Sequence, residues 1–184
     1  MSVRINAKAS AIEQPLWPGL DGDRSGQNEP VTTASVIDRQ AISDAVTGLL
    51  SAVDRRDWDA VQARLADEIR TDYTSLFGGT PATQAATALV DGWRALLPGF
   101  DGTQHLSGPV LADVVGDRAR ATCAVTAAHR LGTEQWTVSG HYDLELQREA
   151  QGWTISALTY RHLLTTGDAS LPAKAQARAG TAIR

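Results

Sequence analysis

The sequence predicts an α+β fold: a cone in which a curved mixed β-sheet wraps three N-terminal helices around one pocket. Three observations carry this expectation. Apolar residues recur at helical spacing from Ile37 to Val53. After Phe100 the pattern changes to long strand-like runs separated by short glycine-containing turns. The chain has 184 residues and is 42% hydrophobic, which suits one domain with a real core and flanking tails.

Residues 1–34 are polar and turn-rich, with Pro15, Pro18, Gly19, Gly22, Gly26 and Pro30, and are expected to form an arm. Trp17 and Leu20 are the exceptions, apolar enough to pin that arm onto the body. The domain is expected over residues 35–166. Its first helix carries Ile37, Ile42, Val46, Leu49, Leu50 and Val53 on one stripe, with Ser35 or Thr33 as cap. A short second helix, about 58–65, follows Asp57 as its cap. Residues 69–76 read as a strand with Ile69, Thr71 and Tyr73 on one face, ended by Gly78-Gly79. Thr80-Pro81 is the expected start of the third helix, which runs to about Leu97 and stops at Pro98-Gly99. Strands are expected at 103–106, 109–115, 119–130, 136–147 and 153–164. Gly116-Asp117, Leu131-Gly132-Thr133 and Ala150-Gln151-Gly152 are their hairpin turns. Residues 167–184 show little periodicity and read as a tail.

A net charge of −4 and a pI near 5.5 argue against a nucleic-acid partner. The single cysteine, Cys123, leaves no intrachain disulfide and suits a reducing cytoplasm. No run approaches the roughly 20 apolar residues of a membrane span, and residues 1–14 lack the apolar core of a signal peptide. The expectation is a cytoplasmic protein with no membrane partner. There is no metal-binding histidine motif, no glycine-rich phosphate loop and no Gly-x-Ser-x-Gly elbow. No metal site is expected from this spacing.

The residue types suited to acid–base chemistry are few. His129 ends an apolar strand and shares its face with Cys123, Val125 and Ala127. It reads either as a hydrogen-bonded core histidine or as a proton shuttle. His105 lies in Thr103-Gln104-His105-Leu106 near the start of the sheet. Asp54 flanks the apolar stripe near the end of the first helix, where the helix dipole disfavours a carboxylate unless something offsets it. A histidine would do so. The alternative is a solvated Asp54 neutralised by Arg55 or Arg56. Tyr73 faces the apolar side of its strand and would seek a hydrogen-bond partner there. His162 shares a face with Leu158, Tyr160 and Leu164, at the open end of the pocket, whereas His141 sits on a polar face.

Taken together, Asp54-Arg55-Arg56-Asp57-Trp58-Asp59 and Thr71-Asp72-Tyr73-Thr74-Ser75 resemble the start of a scytalone dehydratase-type domain. Thr103-Gln104-His105-Leu106 resembles that family's first catalytic-histidine motif, and Ala128-His129-Arg130 falls where the second is expected. Ser139-Gly140-His141-Tyr142-Asp143 and Gly152-Trp153 resemble the closing strands of SnoaL-like domains in the nuclear-transport-factor-2-like superfamily. The resemblance covers about residues 36–162. It implies that Asp54 orients His129, that His129 and His105 share acid and base duties, and that Tyr73 polarises a substrate carbonyl. Two positions depart from the family's pattern: Val53 stands where a tyrosine precedes the aspartate, and Leu144 and Leu146 occupy the region of a substrate-touching asparagine. Both changes imply a more apolar pocket, with Val53, Leu144, Leu146 and His162 against the substrate.

The implied activity is a cofactor-independent lyase or isomerase, of dehydratase or cyclase type, on a small, carbonyl-bearing, polyketide-like molecule. Two other readings stand beside it: a hydrolase of epoxide type, and a non-catalytic small-molecule-binding module. The resemblance also implies a homo-oligomer, dimer or trimer.

Overall fold

In the computed structural model, which describes residues 32–182, the chain opens with helix α1 (Thr33–Arg55). Its cap is Thr32, one residue earlier than expected. The Thr32 hydroxyl accepts from the Ser35 N–H at 3.1 Å and the Ser35 hydroxyl accepts from the Thr32 N–H at 3.1 Å, a reciprocal capping box. Ile42, Val46, Leu49, Leu50 and Val53 bury the expected stripe. Each contributes about 1.5–3 kcal/mol of transfer free energy. Ile37 is exposed, one turn too early to meet the core. Most of the arm expected over 1–34, with Trp17 and Leu20, lies outside the described residues; its last positions already belong to α1 and its cap.

Arg56 takes a left-handed φ of 57° and turns the chain into α2 (Trp58–Gln62), where the Asp57 carboxylate accepts from the Ala60 N–H at 3.2 Å. α2 stops short because Leu65 already begins β1 (Leu65–Asp72). That strand starts earlier than the sequence suggested and ends before Tyr73, which caps the single turn α3 (Thr74–Phe77). Gly78 and Gly79, at φ 71° and 83°, reverse the chain. Residues expected to begin a helix at Thr80-Pro81 instead form β2 (Ala82–Ala85), antiparallel to β1 with Ile69 opposite Gln84. Helix α4 (Ala86–Leu96) follows, and a 3-10 turn covers Leu97–Gly99.

The strands after Phe100 are β3 (Gly102–Ser107), β4 (Leu111–Val115), β5 (Arg118–Leu131), β6 (Glu134–Glu149) and β7 (Gly152–Gly167). All five expected runs are strands, most of them longer than expected. The seven-stranded sheet has the order β2-β1-β7-β6-β5-β3, with β4 also paired to β5. β1 and β7 run parallel, and the other pairs are antiparallel, so the sheet is mixed, curved and unclosed. A bidentate pair between Arg148 and Asp38 (2.8 and 2.7 Å) ties the start of α1 to the β6–β7 hairpin. No described helix is long and apolar enough to cross a membrane.

The stretch expected as a C-terminal tail is partly a helix, α5 (Leu171–Ala182). Leu171, Ala175 and Ala179, four residues apart, are buried and form its packing stripe. The contact with the 3-10 turn is close: a Cβ on Gly99 would lie 1.9 Å from the Ala175 carbonyl oxygen. Arg178 secures it through Asp101 at 2.6 Å.

Candidate active site

A cavity of about 340 Å³ lies between the inner face of the sheet and the helices. β5 sends Val125, Ala127 and His129 into it, on alternate residues. β3 adds His105, β6 adds Trp136, Val138 and Tyr142, and β7 adds Leu158 and Tyr160. α1 contributes Leu49, Leu50 and Val53, and Pro172 at the start of α5 reaches the same space. Among the lining residues there is no Lys, Arg, Asp or Glu. Among the described residues no three His, Cys, Asp or Glu side chains converge to hold a metal ion.

Asp54 stands directly behind this wall. Its carboxylate accepts from His105 Nδ1 at 2.7 Å through one oxygen and from the His105 backbone N–H at 2.7 Å through the other. The Thr103 hydroxyl adds a third bond at 3.1 Å. The partner of Asp54 is therefore His105 and not His129. The register explains the difference. His129 pairs with Thr103 across β3 and β5, so β3 stands between Asp54 and His129. Nor do the neighbouring arginines neutralise Asp54: Arg55 reaches Ser51, and Arg56 donates to the Phe100 carbonyl at 2.7 Å. Burial pushes the Asp54 carboxyl up, but the His105 ring, its N–H and the Thr103 hydroxyl together hold it below its ordinary value. An ionised Asp54 fixes the proton of neutral His105 on Nδ1 and leaves Nε2 as the free, basic nitrogen.

His129 is close but different. Its ring centroid lies 5.9 Å from that of His105, edge-on, and it packs between Phe100 (4.9 Å) and Trp136 (4.6 Å). Nδ1 is buried without a hydrogen-bond partner among the described residues. Burial, and then the proximity of His105, push its pKa down to about 4, against weaker upward pulls from the Trp136 backbone and Asp54. His129 is therefore a neutral imidazole near pH 7.

Tyr73 lines the cavity from the end of β1, where burial lifts its phenol to about 12 against a smaller lowering by the neighbouring Tyr142. Val53 lines the cavity as expected. Leu144, Leu146 and His162 do not. The two leucines are buried in the core, further along β6 from Tyr142. His162 follows Tyr160 in period two, its ring centroid 6.2 Å from that of Tyr160, but it stands outside the lining, next to the bulge that shifts the β6–β7 register between Ser139 and Gly140. Its Nε2 meets the Thr165 hydroxyl at 3.2 Å, and its N–H donates to Ser75 Oγ at 3.0 Å. The sequence assigns no site role to Thr103, Trp136, Tyr142 or Tyr160. Three of them lie in period two with a residue to which it does assign one: Thr103 with His105, Tyr142 with Leu144 and Leu146, and Tyr160 with His162.

Residues 34–159 match the family described as a SnoaL-like domain. Kfla4162 of Kribbella flavida is 25% identical, covering 72% of this chain and 95% of that one, with a TM-score of 0.69. A Novosphingobium aromaticivorans protein described as a candidate scytalone dehydratase is 20% identical (75% and 92% covered, TM-score 0.64). A hexachlorocyclohexane dehydrochlorinase of Novosphingobium barchaimii LL02 is 21% identical (73% and 92% covered, TM-score 0.59). No curated protein matches the chain. The family match spans more than half of the sequence and coincides with the cone that carries the cavity, so the chain belongs to the SnoaL-like family.

Proposed function

We propose that this protein is a cofactor-independent lyase or isomerase, with His105 as the proton-transferring base and Asp54 as its positioning residue. The observation that carries the reading is the pair of hydrogen bonds that His105 donates to the Asp54 carboxylate, which sets the ring's tautomer at the wall of a largely apolar cavity. A base of this kind removes a proton from carbon beside a carbonyl, and a group on the next carbon then leaves. In this reading neutral His129, on the same cavity wall, hydrogen-bonds the departing group. Structural neighbours described as a dehydratase and a dehydrochlorinase support an elimination. The cavity volume suits a small molecule, and the absence of lining cations favours an uncharged one. A polyketide-like ketone meets both requirements.

The low pKa of His129 favours the second reading, a binding module, because a permanently neutral histidine moves no protons by itself. An epoxide-type hydrolase has less support, since no carboxylate lines the cavity. The deciding experiment follows deuterium exchange at the α-carbon of a panel of aryl ketones, by NMR in D2O. Catalysed exchange that His105→Gln abolishes supports the enzyme. Binding with no exchange in the unmodified protein would make it a binding module.

A further inference from the structure

The largely apolar cavity carries a polar pair on its β1–β2 wall. Thr71 points inward from β1, in period two with the fully buried Ile69. It lines the cavity and is only 6% exposed. Its hydroxyl has no hydrogen-bond partner among the described residues, yet it is not sealed in as the Tyr160 hydroxyl is. Burying a hydroxyl without a partner is costly, and a valine would fill the same space in the strand without that cost. Gln84 brings the same capacity from β2. Ala82, Thr83 and Ala85 are exposed, and Gln84 alone in that strand is half-buried, opposite Ile69 and in the cavity lining. Its amide also has no partner among the described residues. Thr71 stands opposite Ala82, so Thr71 and Gln84 are diagonal neighbours on one face, a relation that sets such residues about 7–8 Å apart. That span, shortened by the reach of the glutamine, admits one ligand oxygen within hydrogen-bond distance of both. Around the pair the lining is apolar, with Leu158 of β7 and Leu89 and Trp93 of α4. β2 and β3 end the strand order on opposite sides, so the pair and His105 stand at opposite ends of the sheet that walls one cavity.

We propose that Thr71 and Gln84 form a specificity site that holds a neutral hydroxyl of the substrate, on the part of the molecule remote from the carbon that His105 deprotonates. This deepens the acid–base reading of the same cavity and rests on it. Both side chains donate and accept, which matches a hydroxyl and leaves neither of them bare. With no Lys or Arg in the lining, a carboxylate or phosphate has nothing to neutralise it there. The substrate class narrows to uncharged hydroxy-ketones. A ketone that lacks the hydroxyl leaves two polar groups of the wall unpaired and is the poorer ligand for that reason.

Isothermal titration calorimetry with acetylnaphthalenes that differ only in the presence and position of one ring hydroxyl tests the site without any need for turnover. The full chain is expected to bind one hydroxyl isomer about fivefold or more tighter than the unsubstituted ketone, the effect of one to two net hydrogen bonds. Gln84→Leu and Thr71→Val should each cut that ratio to about twofold or less, since each removes a partner. Thr71→Ser, which keeps the hydroxyl, should keep the ratio. His105→Gln should keep it too while losing ketone exchange. No hydroxyl preference in the unmodified protein, or an undiminished ratio in both Gln84→Leu and Thr71→Val, would overturn the site. The unmodified ratio and Gln84→Leu, on a mostly exposed edge strand, stay readable if Thr71→Val folds poorly. A hydroxyl preference with no exchange in the unmodified protein sinks the acid–base reading and leaves the specificity site standing.

Discussion

Asp54 holds His105 by charge as well as by shape. Asp54→Asn keeps the shape, but its amide can offer a donor to Nδ1 and invert the tautomer. We expect ketone exchange or turnover to fall at least tenfold while Tm changes by only a few degrees, read by NMR and a thermal melt. A buried neutral His129 also makes folding pH-dependent. Its folded pKa, about 4, lies below its ordinary 6.5, so the unfolded chain binds the extra proton between those values. Stability is therefore full above about pH 6.5 and falls toward pH 4, by at most about 3 kcal/mol. Asp54, held low in the fold, adds stability above its ordinary value near 4 that is lost as pH falls further. Urea unfolding at pH 7, 5.5 and 4.5 should show the first loss, and His129→Phe should flatten it. Periodicity put His129 on the apolar face of its strand and Asp54 at the flank of the helix stripe, whereas His105 was legible only through the motif resemblance. It could not supply the strand order that puts β3, and hence His105, between Asp54 and His129.

The elements that local pattern missed are those formed by partners distant in sequence. Ala82–Ala85 has little strand preference of its own and becomes β2 because β1 offers it a ladder across the Gly78-Gly79 reversal. α5 was overlooked because its buried stripe is mostly alanine, too weak to stand out among polar neighbours. Small residues are what this packing needs. Gly99→Ala would drive a methyl into the Ala175 carbonyl, with little room to relax because both sides are backbone. We expect a loss of about 1–3 kcal/mol, the usual range for overpacking, and faster hydrogen exchange across residues 171–182. Unchanged exchange there would show that α5 docks independently of this contact. The strands after Phe100 were the most legible elements, since alternation and glycine turns together define them.

At the scale of the molecule, every buried core side chain described lies between Ile42 and Ala179, and residues from Thr32 onward group as one compact unit. Removing residues 1–30 is expected to leave a cooperative thermal transition with Tm within a few degrees of the full chain. A broad or absent transition would show that the first segment is part of the fold. The cone was legible as a class because helices precede long strands in the sequence. The parallel contact that joins the two ends of that order was not, because no local signal marks it.

That contact, β1 beside β7 with Thr71 opposite Leu158, sets the timing of folding. The first strand made must wait for the last. A nascent chain emerging from the ribosome can close the β5–β6 hairpin early, but the inner face of that hairpin stays bare until β7 has been synthesised. Such late, non-local pairing slows folding and leaves an interval in which apolar strand faces can stick to other chains. Expression at lower temperature, or with a holdase chaperone, should therefore raise the soluble yield more for this topology than for a helical protein of similar length.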